Sequence, residues 1–213
     1  KKDCWINGAD KKYDEDGKLY SENNYSKGNF KSYKIYDKSG KVVSEGEEKK
    51  GKIRLVSYFI NGETKFAEGD FVNGKSEGAW IWYHSTGQKQ REVRFENDLK
   101  EGEEKNYYEN GLLKSVTNFK KGKRDGYYAN FFKNGKIERE GWFEDDQAVG
   151  EQIDYYSDGI ISGKKYSLNN EITGLEESYD YLGRKNYEYF YQDGNVLWSA
   201  NFDTTGKQAG HID

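Results

Sequence analysis

Proline and methionine are absent from all 213 residues, cysteine occurs once, as Cys4, and histidine twice, as His84 and His211. A single cysteine excludes an internal disulfide and a cysteine-built metal knuckle. A histidine metal site would need two residues 127 positions apart brought together with carboxylates. No apolar run approaches the roughly 18 to 20 residues required to cross a bilayer, so the chain reads as soluble. Charge of one sign is missing as well. The 34 Lys and Arg are interspersed with 38 Asp and Glu for a net −4, which disfavours nucleic acid and anionic membrane as partners. Apolar residues make up only 33%, too few for a thick two-layer core.

Aromatics are plentiful. The 19 Tyr, 11 Phe and 5 Trp argue against disorder, which is normally aromatic-poor, and they are periodic. Phe71, Phe95, Phe119 and Phe143 stand 24 residues apart, and Tyr83, Tyr107, Phe131, Tyr155 and Tyr179 repeat the interval half a period later. Gly17, Gly40, Gly62, Gly87, Gly111, Gly135, Gly159, Gly183 and Gly206 punctuate the chain in steps of 22 to 25. Spacing this regular defines a tandem repeat. Beyond about residue 175 the phasing is disturbed, because Gly183 and Gly194 lie only 11 residues apart.

Between the glycines, aromatic and β-branched residues alternate as in strands, unbroken by proline. Asn-Gly or Asp-Gly pairs begin at Asn61, Asn110, Asn134, Asp158 and Asp193; they predict two-residue type I′ hairpins, whose central residues both need positive φ. With Asn134 and Gly135 as the turn, Lys133 would pair with Lys136, Phe132 with Ile137, Tyr128 with Gly141 and Gly126 with Phe143. Gly78, Gly102 and Gly126 would then each lie under a cross-strand Phe. This register puts Tyr83, Tyr107, Phe131, Tyr155, Tyr179 and Trp142 on one face. It puts Trp80, Trp82, His84, Tyr108, Tyr128, Phe132 and Tyr156 on the other, with the stripe from Phe71 to Phe143. The expected fold is all-β: an elongated single-layer antiparallel sheet of tandem hairpins, twisted or trough-like, of some 17 strands. Residues 1–12 form an N-terminal cap or strand, and residues 13–213 an array of about eight hairpins.

The sequence of Asn134-Gly135-Lys136, Glu140-Gly141-Trp142-Phe143, Gly150 and Tyr155-Tyr156 resembles the variant class of MORN repeats found in bacteria. Gly111 to Gly126 is a second good copy, and Glu68-Gly69-Asp70-Phe71 to Trp80 a third. The resemblance spans roughly residues 13–210 and is clearest from 60 to 160. It implies a single-layer sheet of hairpins and a role in binding proteins or, in some members, membranes, with no catalytic residues to carry over. Bacterial relatives are often labelled antitoxin components. The chain departs from the pattern at Glu47 and Glu48 and in the short Lys49-Lys50-Gly51 turn, which leaves room for different packing of the N-terminal repeats.

Several fragments of chemistry dissolve into the repeat. Gly69 to Ser76 matches G-x-x-x-x-G-K-[ST], but no helix signal follows to cradle a phosphate, and the stretch aligns with Thr117 to Arg124 as an ordinary hairpin. Asp14, Asp16 and Gly17 begin like a calcium loop and lack its later ligands. The basic groups at Lys49, Lys50, Lys52 and Arg54, and at Lys120, Lys121, Lys123 and Arg124, read as solvated turns, since Glu144, Asp145 and Asp146 hold the same repeat position. No Ser lies in a nucleophile elbow. Lys1, Lys2 and Asp3 lack the small and apolar residues that lipid attachment at Cys4 would need. A first residue of Lys fits a removed leader or a trimmed chain equally, so compartment stays open between export and cytoplasm.

The sequence therefore points to a non-enzymatic scaffold, with no cofactor or metal, that binds a protein or peptide through an aromatic sheet face. Its candidate contacts are Trp80, Trp82, His84, Tyr108, Tyr128, Phe132 and Tyr156. A cell-surface carbohydrate- or choline-binding module is the second reading, because aromatic hairpins also build platforms and cages. An antitoxin-like inhibitor of a small toxin is the third. Open sheet edges offer a route to self-association.

Overall fold

A computed structural model describes residues 7–60 and 62–212. Cys4, the first half of the proposed cap and Asn61 lie outside the described residues, as does the side chain of His211. The described chain is all-β. Strands β1 Gly8–Tyr13, β2 Leu19–Ser26, β3 Asn29–Tyr36 and β4 Val42–Glu47 form one antiparallel sheet in chain order. A second sheet, also in chain order, runs through β5 Lys52–Tyr58, β6 Lys65–Val72, β7 Lys75–Tyr83, β8 Lys89–Glu96, β9 Leu99–Tyr107, β10 Leu113–Lys120, β11 Lys123–Phe131, β12 Ile137–Glu144, β13 Gln147–Tyr155, β14 Ile161–Leu168, β15 Glu171–Tyr179, β16 Lys185–Gln192, β17 Asn195–Phe202 and β18 Gln208–Ile212. The chain divides into two compact units. The first runs to Gly102 and includes Glu109–Gly111; the second comprises Glu103–Tyr108 and Leu112 onward.

Two kinds of turn alternate along the chain. In one, the N–H of Gly135 donates to the Phe132 carbonyl and the N–H of Phe132 to the Lys136 carbonyl, and only Gly135 has positive φ. This is a three-residue turn closed by a glycine bulge, and it corrects the expected type I′ geometry at Asn110-Gly111, Asn134-Gly135 and Asp158-Gly159. Ile137 consequently faces Phe131 rather than Phe132, while the expected Tyr128–Gly141 and Gly126–Phe143 pairs are present. The other kind is type I′. Both central residues have positive φ at Lys27-Gly28, Lys50-Gly51, Asn73-Gly74, Asn97-Asp98, Lys121-Gly122, Asp145-Asp146, Asn169-Asn170 and Asp193-Gly194. Gly183 and Gly194 thus belong to the two different turn kinds, and their 11-residue spacing is half a repeat.

Gly78, Gly102, Gly126, Gly150 and Gly174, each the fourth residue of its strand, have φ between 71° and 109°. Around Gly78, Gly126, Gly150 and Gly174 the ladder slips by two residues, so these glycines make β-bulges that add twist. They are not the seats of Phe rings: a Cβ at Gly78 or Gly102 would meet nothing within 4 Å. Where the fourth residue is Trp198 the slip on the incoming side is a single residue.

The ladder breaks between β4 and β5, beside the departure at Glu47 and Glu48. Tyr33 lies over Gly46 and its hydroxyl accepts the Val56 N–H at 3.0 Å, taking a donor that strand pairing would otherwise use. Glu48 accepts from the Gly51 N–H at 2.6 Å and pairs with Lys31. Tyr33, Ile35 and Ile53 are buried there, against Phe30, Leu55, Tyr58 and Phe71. Beside them opens a cleft of about 450 Å³ walled by Tyr20, Tyr25, Phe30, Leu55, Phe66 and Phe71, with Lys12 its one charged lining residue.

Candidate functional site

In the first unit, Trp80 and Trp82 share one face of β7, with ring centroids 5.6 Å apart. Trp80 also touches Phe71 at 4.9 Å and Phe95 at 6.3 Å. It is 6% exposed, lies where Gly69 would carry a Cβ, and donates its Nε1–H to the Asp70 carbonyl at 3.2 Å. Every part of the indole is used in packing. Trp82 is half-buried, with the Arg91 guanidinium 3.7 Å from its ring centroid. His84 opens the turn that follows, its backbone bonded to Gly87 and Gln88.

In the second unit, Tyr128 covers Gly141, meets Phe143 at 4.7 Å and donates to the Gln152 side chain at 2.9 Å. Tyr108, Phe132 and Tyr156 hold the first position of their glycine-bulge turns. Asp14, Asp37, Asp180 and Asp203 occupy that position elsewhere, each with Oδ1 accepting two turn N–H groups. Tyr108 and Tyr156 do something different. Their hydroxyls donate to the carbonyls of Phe131 at 2.6 Å and Tyr179 at 2.7 Å, one repeat onward, tying consecutive hairpins.

The opposite face carries a row of tyrosine–glutamate pairs. Tyr83 donates to Glu68, which also holds Lys65 at 3.3 Å and Arg54 at 3.2 Å. Burial, then the bond to Glu68, pushes the Tyr83 phenol up to about 12, while chiefly the same bond lowers the Glu68 carboxyl. In the second unit Glu140 accepts from Tyr127 at 2.7 Å and Tyr155 at 2.6 Å. Tyr179 donates to Glu177 at 2.8 Å, and Lys185 bridges Glu177 and Glu188. Burial foremost pushes Tyr155 and Tyr179 up to about 12.

On this same face of the second unit lies an apolar band, of which the sequence reading placed only Trp142. Tyr127 faces Trp142 across β11 and β12 with ring centroids at 5.6 Å; Trp142 faces Val149 and Glu151 faces Tyr166. Leu175 faces Phe190, and Phe190 stacks on Trp198 at 5.8 Å with ring planes 4° apart. Seven strands contribute, a span of about 29 Å at roughly 4.8 Å per strand. Trp142 is 53% exposed, Tyr166 49% and Leu175 44%. A signal for the band exists in the sequence. The repeat position held by Asp70, Arg94 and Asn118 is taken over in the last copies by Trp142, Tyr166 and Phe190.

Fold and surface together define a tandem-hairpin repeat protein. Three segments, residues 7–27, 76–97 and 100–121, match the MORN repeat variant, and the chain carries repeats of that kind at those three places. No curated protein matches it. Among solved structures, it resembles a chain in the crystal structure of TcdB2-TccC3-Cdc42 with 15% identity over 89% of this chain and 11% of that one, at a TM-score of 0.27. It also resembles chains of TcdB2-TccC3 without its hypervariable C-terminal region (12% identity, 94% and 12% covered, TM-score 0.25) and of TcdB2-TccC3 (10%, 90% and 14%, 0.26). The present chain spans 11 to 14% of the length of these, and scores this low carry no weight for fold or function.

Proposed function

We propose that the chain is a non-enzymatic scaffold that binds a protein or peptide partner, and that the second unit's band from Tyr127 to Trp198 is the contact surface. The carrying observation is the exposure of Trp142, Tyr166 and Leu175 on one face of the second unit. Exposed apolar area concentrated on one face is a marker of interaction sites, and MORN repeats generally mediate protein or membrane interactions. On this reading Trp80, Tyr108, Tyr128 and Tyr156 hold the repeats together, and Trp82, His84 and Phe132 lie away from the main contact. A photo-crosslinking residue at position 166 should capture a discrete partner in the native host, and one at position 82 should not; the reverse pattern would move the site to the other face.

A glycan is the alternative ligand. It is favoured by the ladder of Tyr187, Tyr189 and Tyr191 along one face of β16, with centroids 6.5 and 6.4 Å apart. Aromatic rings beside the polar Lys165, Glu176 and Ser178, which line a depression with Tyr189, suit a sugar platform. Binding on a glycan array that Tyr189→Ala removes would establish this reading instead.

A further inference from the structure

We infer that the segment recognised by this band is a protein segment carrying Lys or Arg among aliphatic or aromatic residues, an inference that rests on the reading above. The argument is one of unmatched charge. Around the band, four cations of the second unit already stand by carboxylates. Lys185 bridges Glu177 and Glu188, Lys164 stands across from Glu177, Lys123 pairs with Asp145 and Arg124 with Asp146. Glu140 receives two phenol hydrogens and, among the described residues, no ion pair. Glu144 is two residues along β12 from Trp142, on the same face, and exposed; Glu151 faces Tyr166 and is exposed. Among the described residues neither forms an ion pair.

The strip therefore offers ring faces and aliphatic groups interleaved with carboxylates that lack counter-charges. A guanidinium or ammonium between apolar side chains satisfies both: it sits over the Trp142 or Tyr166 ring while approaching Glu144 or Glu151, and its apolar neighbours cover Leu175, Phe190 and Trp198. Complementary charge contributes specificity and association rate as well as affinity. The same carboxylates repel an anionic bilayer, so the observations favour a protein segment over a membrane.

The test is selection of random twelve-residue peptides displayed on phage against the intact chain, followed by anisotropy titrations of the selected peptide at low and high salt. The expected consensus places Arg or Lys beside Leu, Phe or Trp. Affinity should fall about tenfold or more in Trp142→Ser/Tyr166→Ser. In Glu144→Gln/Glu151→Gln it should fall several-fold, with a shallower salt dependence. An acidic or neutral consensus that still needs Trp142 and Tyr166 would overturn the charge inference and leave the surface standing. Binding indifferent to the Trp142/Tyr166 pair and lost in Trp82→Ala would overturn both. Failure to select any peptide, co-sedimentation with phosphatidylcholine vesicles containing phosphatidylserine, or self-association through the band would each also contradict the inference.

Discussion

The indole of Trp80 occupies the space in which Gly69 would carry a side chain: a Cβ built on Gly69 falls 2.1 Å from Cδ2 of the ring. Gly69→Ala must therefore expel the indole from its seat between Phe71 and Phe95. The expected loss is about 2 to 3 kcal/mol, within the range for overpacking a buried site, read as a lower urea midpoint. At Gly141 the corresponding Cβ meets the edge of Tyr128 at 2.9 Å, a contact that a small ring movement relieves, so Gly141→Ala should cost less.

Gly150 separates backbone strain from packing. Nothing lies within 4 Å of a Cβ there, yet φ is +74°. Gly150→Ala should cost about 1 to 2 kcal/mol through left-handed strain alone, and Gly150→Asn less, since Asn tolerates that region better. Equal melting temperatures for wild type and Gly150→Ala would remove the bulge from the account.

Tyr108 and Tyr156 make the same inter-repeat bond 48 residues apart. Replacing either by Phe deletes one hydroxyl-to-carbonyl bond, worth about 1 kcal/mol, and the double variant should lose the sum because the sites share no partner. Urea titrations of the two single variants and the double variant check this; a double variant no weaker than either single one would show that the hydroxyls are not ties between hairpins.

Two pH limits follow from the tyrosine–glutamate row. Glu68 has its folded pKa lowered, chiefly by the Tyr83 bond, so its contribution is present above the unfolded carboxyl range, near pH 4.5, and fades as pH falls through the folded value. Tyr83, Tyr155 and Tyr179 are raised to about 12 from 10.0, with burial the first cause. Their contribution is complete below pH 10 and lost as pH rises toward 12. Ultraviolet titration of the phenols should show a late-ionising group that joins the others once the chain is unfolded in urea. One homogeneous transition in the folded protein would contradict the row.

Much of this fold is legible in sequence, and the limits have physical causes. The 24-residue period locates the hairpins, and alternation places Trp80 with Phe71 and Phe95, and Tyr128 with Phe143, on shared faces. Asn134-Gly135 misleads because a turn glycine serves a type I′ hairpin and a glycine bulge equally well. The Asp193-Gly194 pair is type I′ as expected, but three further type I′ turns, at Asn97-Asp98, Asp145-Asp146 and Asn169-Asn170, have no glycine to advertise them. Gly78 and Gly126 read as ring seats because their cross-strand partners are correct; only backbone φ reveals the bulge. The proposed contact band was not singled out for a different reason. Recurrence highlights the positions that stay aromatic, and those are occupied with packing, whereas Trp142, Tyr166 and Phe190 stand where earlier copies carry Asp70, Arg94 and Asn118.

One paired measurement bears most directly on the division between packing rings and contact rings: thermal stability and peptide or partner binding, recorded together for Trp80→Ala and for Trp142→Ser/Tyr166→Ser. Trp80→Ala should melt well below wild type, since truncating a buried aromatic costs about 3 to 5 kcal/mol. The band variant should melt with wild type and lose binding. A band variant that unfolds early, or one that binds as wild type does, would contradict the assignment of the strip from Tyr127 to Trp198 as the surface this chain presents to its partner.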